Sequence, residues 1–240
     1  MRNKTKALLV LVFLWFAFSF KQSGEVTKQL SLSFTSKILE HKKYITVEGE
    51  VYFKKLGGLL TTHLTKPFEN VTIINAGGEM KVYDVQENTV MQSSSALTSS
   101  ESSYFWYFLN GNYSDLGFPK LGYVIKDTKV EDGVLITNWV PKAGLNIPIS
   151  KIQMVHEKSL PIYLEFIGAK NKTLGKIYFS GYQKIGTLSL PLKITEIAYQ
   201  EKGDSTITVK TYYNPKSNSD VNSEYLNFKI PANAKLVSGK

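Results

Sequence analysis

Residues 45–60 read ITVEGEVYFKKLGGLL, and this stretch decides the fold class. From Ile45 to Phe53, apolar residues and one glycine occupy every second position, with threonine, glutamate and tyrosine between them. A period of two residues is typical of a β-strand that buries one face. Gly57-Gly58 interrupts the pattern, and a second strand is predicted over Leu59–Lys66, ending at Pro67. Two strands joined by a pair of glycines predict an antiparallel hairpin.

Similar segments recur along the chain, from Leu30–Ile38 to a last predicted strand at Tyr225–Pro231. Together they predict about ten to twelve strands, several of which end at glycine or proline. No linker-like composition divides the chain. The pattern therefore predicts a mainly β protein with a single domain, built as one large curved sheet or as an incomplete antiparallel β-barrel.

The middle of the chain departs from this alternation. Residues 92–103 are rich in serine and threonine and predict a mobile loop, and Ser99–Ser103 would cap a following helix. Tyr104–Leu109 reads YFWYFL and predicts a short helix, with a buried strand as the alternative. We expect this helix to lie as a lid over the apolar concave face of the sheet, where an apolar ligand would bind. The side chains predicted to line this cavity and its lid are Phe34, Val51, Phe53, Leu64, Val82, Phe105, Trp106, Phe108, Leu109 and Trp139.

The first residues predict export. Arg2, Lys4 and Lys6 precede the 12-residue apolar run Ala7–Phe18, which is followed by Ser19. This order is typical of a cleaved signal peptide, and the run is shorter than the roughly 20 residues that span a bilayer as a helix. We expect cleavage after Ser19, which leaves 20–240 as one domain in the periplasm; an uncleaved anchor is the alternative. Loss of the three basic residues lowers the net charge from +9 to +6.

The sequence offers little for catalysis. His41, His63 and His156 are far apart and form no metal-binding motif, and no phosphate-binding glycine loop or nucleophile elbow occurs. The chain has no cysteine, so disulfides, thiol nucleophiles and a lipidated cysteine are excluded. Basic residues are not gathered into a block that would bind nucleic acid. We therefore expect a binding protein without cofactor or metal, although a serine–lysine dyad stays open.

Several segments resemble LolA-type lipoprotein carriers in order and spacing. Gly49–Leu60 resembles their strand and turn with the pattern G-x-hydrophobic-K-R-P, and Thr62–Pro67 and Ile74–Asp84 follow as their next strands do. Leu32–Ile38 resembles the family's first strand, and Pro191–Ile194, Thr208–Tyr213 and Phe228–Ala234 resemble its closing strands. Thr62 and Lys81 stand where the family has tryptophans.

The resemblance implies an incomplete β-barrel of about eleven strands with a helical lid, acting as a monomer. Its ligands would be the acyl chains of lipoproteins, carried toward the outer membrane. Its partners would be an inner-membrane ABC-type release complex and an outer-membrane acceptor. In the family an arginine of the turn latches the lid; here Lys55 takes that place and Leu56 replaces the proline.

Three other functions stay open at this stage. A LolA-like envelope sensor or regulator would bind lipidated or misfolded proteins without transferring them. A structural β-protein would have a filled core in place of a cavity. An enzyme would need a nucleophile and a base that meet only in the folded chain.

Overall fold

The computed structural model describes residues 26–94, 104–145, 147–200, 204–221 and 224–237. Fourteen strands form one sheet. Their bounds are β1 (Gln29–Glu40), β2 (Lys43–Lys54), β3 (Leu59–Lys66), β4 (Asn70–Ile74), β5 (Glu79–Asp84), β6 (Thr89–Ser94), β7 (Tyr123–Glu131), β8 (Val134–Pro141), β9 (Lys151–Glu157), β10 (Leu160–Ile167), β11 (Thr173–Ile185), β12 (Leu188–Tyr199), β13 (Ser205–Ser217) and β14 (Lys235–Val237). The mainly β prediction is confirmed.

The strand order shows two meanders joined at β1. The order across the sheet is β14-β6-β5-β4-β3-β2-β1-β13-β12-β11-β10-β9-β8-β7. β1 pairs with β2 on one side and with β13 on the other, and all pairs are antiparallel except β14 with β6. The two ends of the order, β14 and β7, do not pair with each other, so the barrel is incomplete, as predicted.

Cross-strand partners define the two faces of the sheet, because paired residues point to the same side. Leu32 pairs with Val51, Val51 with Thr62, Thr62 with Thr72, and Thr72 with Val82. Leu32 and Val51 belong to the main core, so this row lies on the side that we call the inner face. On the other half of the sheet, the same core includes Trp139, Met154, Leu164, Ile177 and Phe179.

A crossing segment covers the inner face. β6 lies near one edge of the sheet and β7 forms the other edge, so the chain between them has to cross. Its described part contains the helix α1 (Tyr104–Leu109) and a 3-10 helix at Phe118–Leu121. The predicted helix at Tyr104–Leu109 is thereby confirmed. Among the described residues, no helix is long and apolar enough to cross a bilayer.

The end of the chain corrects one prediction. Tyr225–Pro231 is not a strand: a 3-10 helix occupies Glu224–Asn227, and the last strand is the short β14. The physical reason is a set of ring contacts on the outer face. Tyr225 stacks on His63 with ring centroids 4.2 Å apart and on Tyr52 at 5.6 Å, and Leu226 is buried beside Tyr52. These side-chain contacts hold the segment against β2 and β3, so it does not pair with a neighbouring strand through backbone hydrogen bonds.

A second correction concerns the serine-rich region and the strand count. Residues 92–94 belong to β6, which pairs with β5. The sequence of β6, TVMQSS, is too polar to predict a strand by itself. β6 and β14 help bring the sheet to fourteen strands where about eleven were expected. The predicted signal peptide at 1–19 and loop residues 95–103, including the capping stretch Ser99–Ser103, lie outside the described residues.

The packing of the core predicts where truncation destabilises the fold. Leu164 is fully buried in the main core, whereas Leu56 is 82% exposed in the β2–β3 turn. We expect Leu164→Ala to lower the free energy of unfolding by about 2–5 kcal/mol, because it leaves a cavity. The matched Leu56→Ala change should lower it by less than about 0.5 kcal/mol. Urea unfolding followed by circular dichroism measures both, and similar losses in the two variants would contradict this assignment of the core.

Candidate functional site

The helix α1 lies on the inner face through aromatic contacts. Phe108 is fully buried, with its ring centroid 5.2 Å from that of Phe179. The rings of Trp106 and Phe53 meet edge to face, and those of Phe105 and Tyr212 stack. In both pairs the ring centroids are 5.7 Å apart. α1 therefore touches β2, β11 and β13, which together span the middle of the sheet. Such ring pairs stabilise beyond their buried area, so α1 is held firmly although it has only six residues.

Hydrogen bonds tie the segment after α1 to the far half of the sheet. The backbone N–H of Ser189 donates to the hydroxyl of Tyr113 at 2.8 Å. The carbonyl oxygen of Tyr113 accepts from Nε2 of His156, also at 2.8 Å. The Asp115 carboxylate accepts from the side chain of Asn112 and the backbone N–H of Gly117. These bonds fix residues 112–117 and direct the next apolar side chains into the core.

Beside α1 the inner face contains a cavity of about 600 Å³ that we call the inner hollow. Its walls come from α1, the crossing segment up to the start of β7, the β8–β9 connection and strands β9 and β10, and none of its lining residues is charged. The lining residues are Tyr104, Tyr107, Leu116, Phe118, Leu121, Tyr123, Ile147, Ile149, Ile152 and Phe166. The volume falls within the roughly 300–1,000 Å³ of small-molecule sites, and the lining suits an apolar ligand.

A second cavity, of about 590 Å³, lies at the β7–β8 edge, and we call it the edge hollow. Trp139 and His156 contribute to its lining, together with apolar side chains of β7 and β8. Phe118 separates the two cavities: it lines the inner hollow, and its ring centroid lies 5.7 Å from that of Trp139. The inner face thus offers two neighbouring cavities.

The predicted lining residues lie on the inner face or on α1, but none of the ten lines the inner hollow. The ring of Phe53 contacts that of Trp106. The ring centroid of Phe34 lies 6.2 Å from that of Tyr212, on which Phe105 also stacks. Val51, Phe108 and Leu109 are buried in the core, whereas Leu64 and Val82 are half-buried on β3 and β5. Of the ten, Trp139 lines the edge hollow. Their role in ligand binding stays a prediction.

The sequence interpretation missed the residues that form the inner hollow. Seven of the ten come from two short stretches, 116–123 and 147–152, which are rich in apolar residues and are broken by glycine or proline. Such stretches look like ordinary turns, because their apolar side chains have no regular period. A signal did exist: Leu116, Phe118, Leu121 and Tyr123 are too apolar for an exposed connection.

The β2–β3 turn meets the lid at Gly58, and the role of Lys55 as a latch stays a prediction. Lys55 is exposed, and in the part of the chain that the structure describes no hydrogen bond joins its side chain to α1. Gly58 is buried, and a Cβ atom added there would lie 3.0 Å from the Trp106 ring and 2.9 Å from the Ala76 Cβ. Close packing against Trp106 therefore holds the turn and the lid together.

Two charged groups, Lys210 and Glu196, lie near the lid, and neither lines the inner hollow. Burial raises the pKa of Tyr104, and the Glu196 carboxylate raises it further, so the phenol stays neutral. Burial lowers the pKa of Lys210, an effect that Glu196 opposes. The Lys210 ammonium lies over the Phe34 ring, 5.3 Å from its centroid, a favourable cation–π position. The inner hollow itself thus offers a ligand mainly hydrophobic contact.

Solved structures share this fold. A DUF1329 family protein from Desulfovibrio piger matches with a TM-score of 0.56 and 17% identity over 84% of this chain and 90% of its own. A LolA superfamily protein from Nitrosomonas europaea matches with a TM-score of 0.54 and 10% identity, and the match covers 82% of this chain and 90% of that protein. An outer membrane lipoprotein-sorting protein domain from Vibrio parahaemolyticus matches with a TM-score of 0.56 and 11% identity, and the match covers 89% of this chain and 95% of that domain.

At these identities the likeness concerns the fold, which is LolA-like. The resemblance noted in the sequence is confirmed at that level. No protein-family model and no curated protein matches the sequence.

The contact between Gly58 and Trp106 predicts a difference between two adjacent glycines. Gly57 and Gly58 both have positive φ, at 78° and 57°, but a Cβ at Gly57 would meet nothing within 4 Å. Alanine at either position should cost about 1–2 kcal/mol of backbone strain. Gly58→Ala should cost about 1–3 kcal/mol more, because its methyl group presses on the lid. Urea unfolding measures the stabilities, and the indole N–H resonance of Trp106 should shift in Gly58→Ala alone. Equal losses would show that the turn does not pack on the lid.

Proposed function

We propose that this protein is a periplasmic carrier that binds the acyl chains of lipoproteins in the inner hollow and takes them toward the outer membrane. The observation that carries this proposal is an uncharged cavity of about 600 Å³ beside a short aromatic lid. The lipoprotein-sorting domain of similar fold gives independent support for this ligand class. The partners would be an inner-membrane ABC-type release complex and an outer-membrane acceptor.

The energetics of such a carrier require a lid that costs free energy to displace. Burying an acyl chain stabilises the complex by about 0.8 kcal/mol per CH₂ group. A preformed open cavity would keep this whole gain and would release its cargo too slowly. Here a ligand larger than the inner hollow has to move α1 and break ring contacts such as Trp106 with Phe53 and Phe108 with Phe179. Part of the binding free energy is then spent on opening, which allows delivery.

A binding role without chemistry is part of this proposal. Acyl-chain transport makes and breaks no covalent bond, so the inner hollow needs no nucleophile or metal. The cavity favours a carrier over a structural protein with a filled core. An envelope sensor would bind the same ligand, and the difference between the two lies in transfer.

A vesicle assay tests transfer directly. The probe is a synthetic triacylated cysteinyl peptide in donor vesicles, with the same peptide without acyl chains as its control. We expect residues 20–240 to extract the acylated peptide alone and to deliver it to acceptor vesicles. Extraction without delivery would replace the carrier by the sensor, and no extraction would contradict lipid binding altogether.

Filling the inner hollow should block binding. Ile149 lines this hollow, whereas Ile136 is half-buried on the outer face of β8. We expect Ile149→Trp to weaken binding of the acylated peptide by at least about tenfold, because the ring occupies the space of the acyl chain. Ile136→Trp adds the same volume outside the cavity and should bind like the unmodified protein. Fluorescence titration measures both affinities, and equal affinities would place the acyl chains elsewhere.

A further inference from the structure

β7 forms one edge of the sheet and is exposed along nearly its whole length. It has nine residues, and every residue from Val124 to Glu131 is exposed, whereas β14 at the other edge has only three residues. Ile125 and Val130 are 54% and 74% exposed, although both are apolar. A long exposed edge strand is a template for pairing with another strand, and most proteins shorten or block such edges. The β7 edge is therefore a candidate interaction surface.

The turn after β7 determines which backbone groups of β7 point outward. Residues 132–133 form a two-residue turn to β8, with φ of 50° and 81°, as in a type I′ turn. Glu131 and Val134 on either side of this turn exchange both backbone hydrogen bonds, and such bonded pairs then alternate along the two strands. The N–H and C=O groups of Thr128 and Val130 consequently point away from β8. Among the described residues, no strand lies beside β7 to pair with them.

The outer face of β7 carries a charge pattern that fits a second copy of the same strand. Lys129 pairs with Ile136 on the outer face of β8, and Asp127 and Glu131 share its side of the sheet. In an antiparallel pair of two β7 strands centred on Thr128, Asp127 of each copy faces Lys129 of the other. These two positions do not exchange backbone hydrogen bonds across the new junction, and in such pairs the side chains come closest.

Two other symmetric registers suit the outward backbone groups, and both fit less well. Pairing centred on Lys129 would place lysine opposite lysine and acid opposite acid, which is destabilising. Pairing centred on Val130 would place Lys129 opposite Glu131 but would run into the turn at Asp132, whose positive φ ends the strand. The register centred on Thr128 keeps its charge pairs within the extended strand.

The features that protect β7 from arbitrary partners are compatible with this register. Lysines at an edge discourage pairing with most strands, and a bulge between Ile125 and Asp127 limits the regular stretch to residues 127–131. Lys129 also lies beside Glu131 of its own strand, but such an exposed ion pair is weak enough to be shared. A suitable partner is therefore a strand with complementary charges over a short stretch, and a second copy of β7 is such a strand.

We propose that two copies of this protein form a symmetric dimer in which their β7 strands pair edge to edge, centred on Thr128. The N–H and C=O groups of Thr128 bond across the axis, and an Asp127–Lys129 pair stands on either side of it. On the inner face, Ile125 and Val130 of one copy lie beside those of the other, which covers part of their exposed apolar surface. The resemblance in the sequence implied a monomer, and this dimer departs from that expectation. It does not rest on the proposed function, because no bound lipid takes part in it.

Amide hydrogen exchange of the unmodified residues 20–240 tests which backbone groups pair, while sedimentation velocity measures the dimer at the same concentrations. We expect the Thr128 N–H to exchange at least about tenfold more slowly once the dimer forms, because its hydrogen bond exists only across the axis. The Lys129 N–H is bonded to β8 and should be protected at every concentration. A protein that stays monomeric up to about 1 mM overturns the inference. A dimer that leaves the Thr128 N–H unprotected overturns it as well.

Charge reversal tests the register. Asp127→Lys and Lys129→Asp each place like charges opposite each other twice in the dimer, so each should weaken self-association at least about tenfold. An equimolar mixture of the two variants should associate like the unmodified protein. In that heterodimer the new lysine of one variant faces the new aspartate of the other, and Lys129 of the first faces Asp127 of the second. Native mass spectrometry with one variant labelled with nitrogen-15 counts the heterodimer.

Glu87→Lys is the matched control, because Glu87 is exposed in the β5–β6 turn and the net charge changes as in Asp127→Lys. This variant should associate like the unmodified protein, and an equal loss in it would mean that overall charge decides. Recovery in the mixture would show that both single variants are folded. If Asp127→Lys associates normally while Lys129→Asp does not, Lys129 faces Glu131 and the register centred on Thr128 is wrong. A mixture that stays monomeric also contradicts the proposed pairing.

Discussion

The two meanders of the sheet end at opposite edges, and the rest of the structure depends on this constraint. β1 lies between β2 and β13, so β6 comes near one edge and β7 forms the other. The chain between them must cross the whole sheet, and its described part crosses the inner face. The described part of this segment, a six-residue helix and a short tied stretch, borders the two hollows on the inner face.

The crossing segment also explains why the cavities differ in character. Where α1 and residues 116–123 pack closely, the cavity between them and β9 is lined by apolar and tyrosine side chains. Where the segment is held by hydrogen bonds from His156 and Ser189, the neighbouring cavity has polar as well as apolar side chains in its lining. One connection thus borders two cavities of different character, and the ring of Phe118, which lines the first, contacts Trp139, which lines the second.

The match to solved structures at 10–17% identity follows from the same physics. A sheet of this kind requires apolar and polar residues to alternate along each strand and glycine or polar residues to occupy each turn. Many different sequences satisfy both requirements. Details outside that requirement vary freely. The contact between turn and lid, for example, depends on the absence of a side chain at Gly58. The fold can therefore persist while local contacts of this kind change.

The sequence by itself determined the mainly β class, the approximate positions of most strands and the helix at Tyr104–Leu109, because alternation and its interruption are local properties. It did not predict β6, whose polar residues gain a strand conformation from pairing with β5 and β14, or the 3-10 helix at Glu224–Asn227. That helix depends on Tyr225 reaching His63, 162 residues away. The hollows were also decided by tertiary structure alone. Phe118 meets Trp139, and His156 meets Tyr113, only because the register of β7–β9 and the crossing segment bring distant residues together. Local patterns carry no information about such pairings, and these pairings create the candidate site.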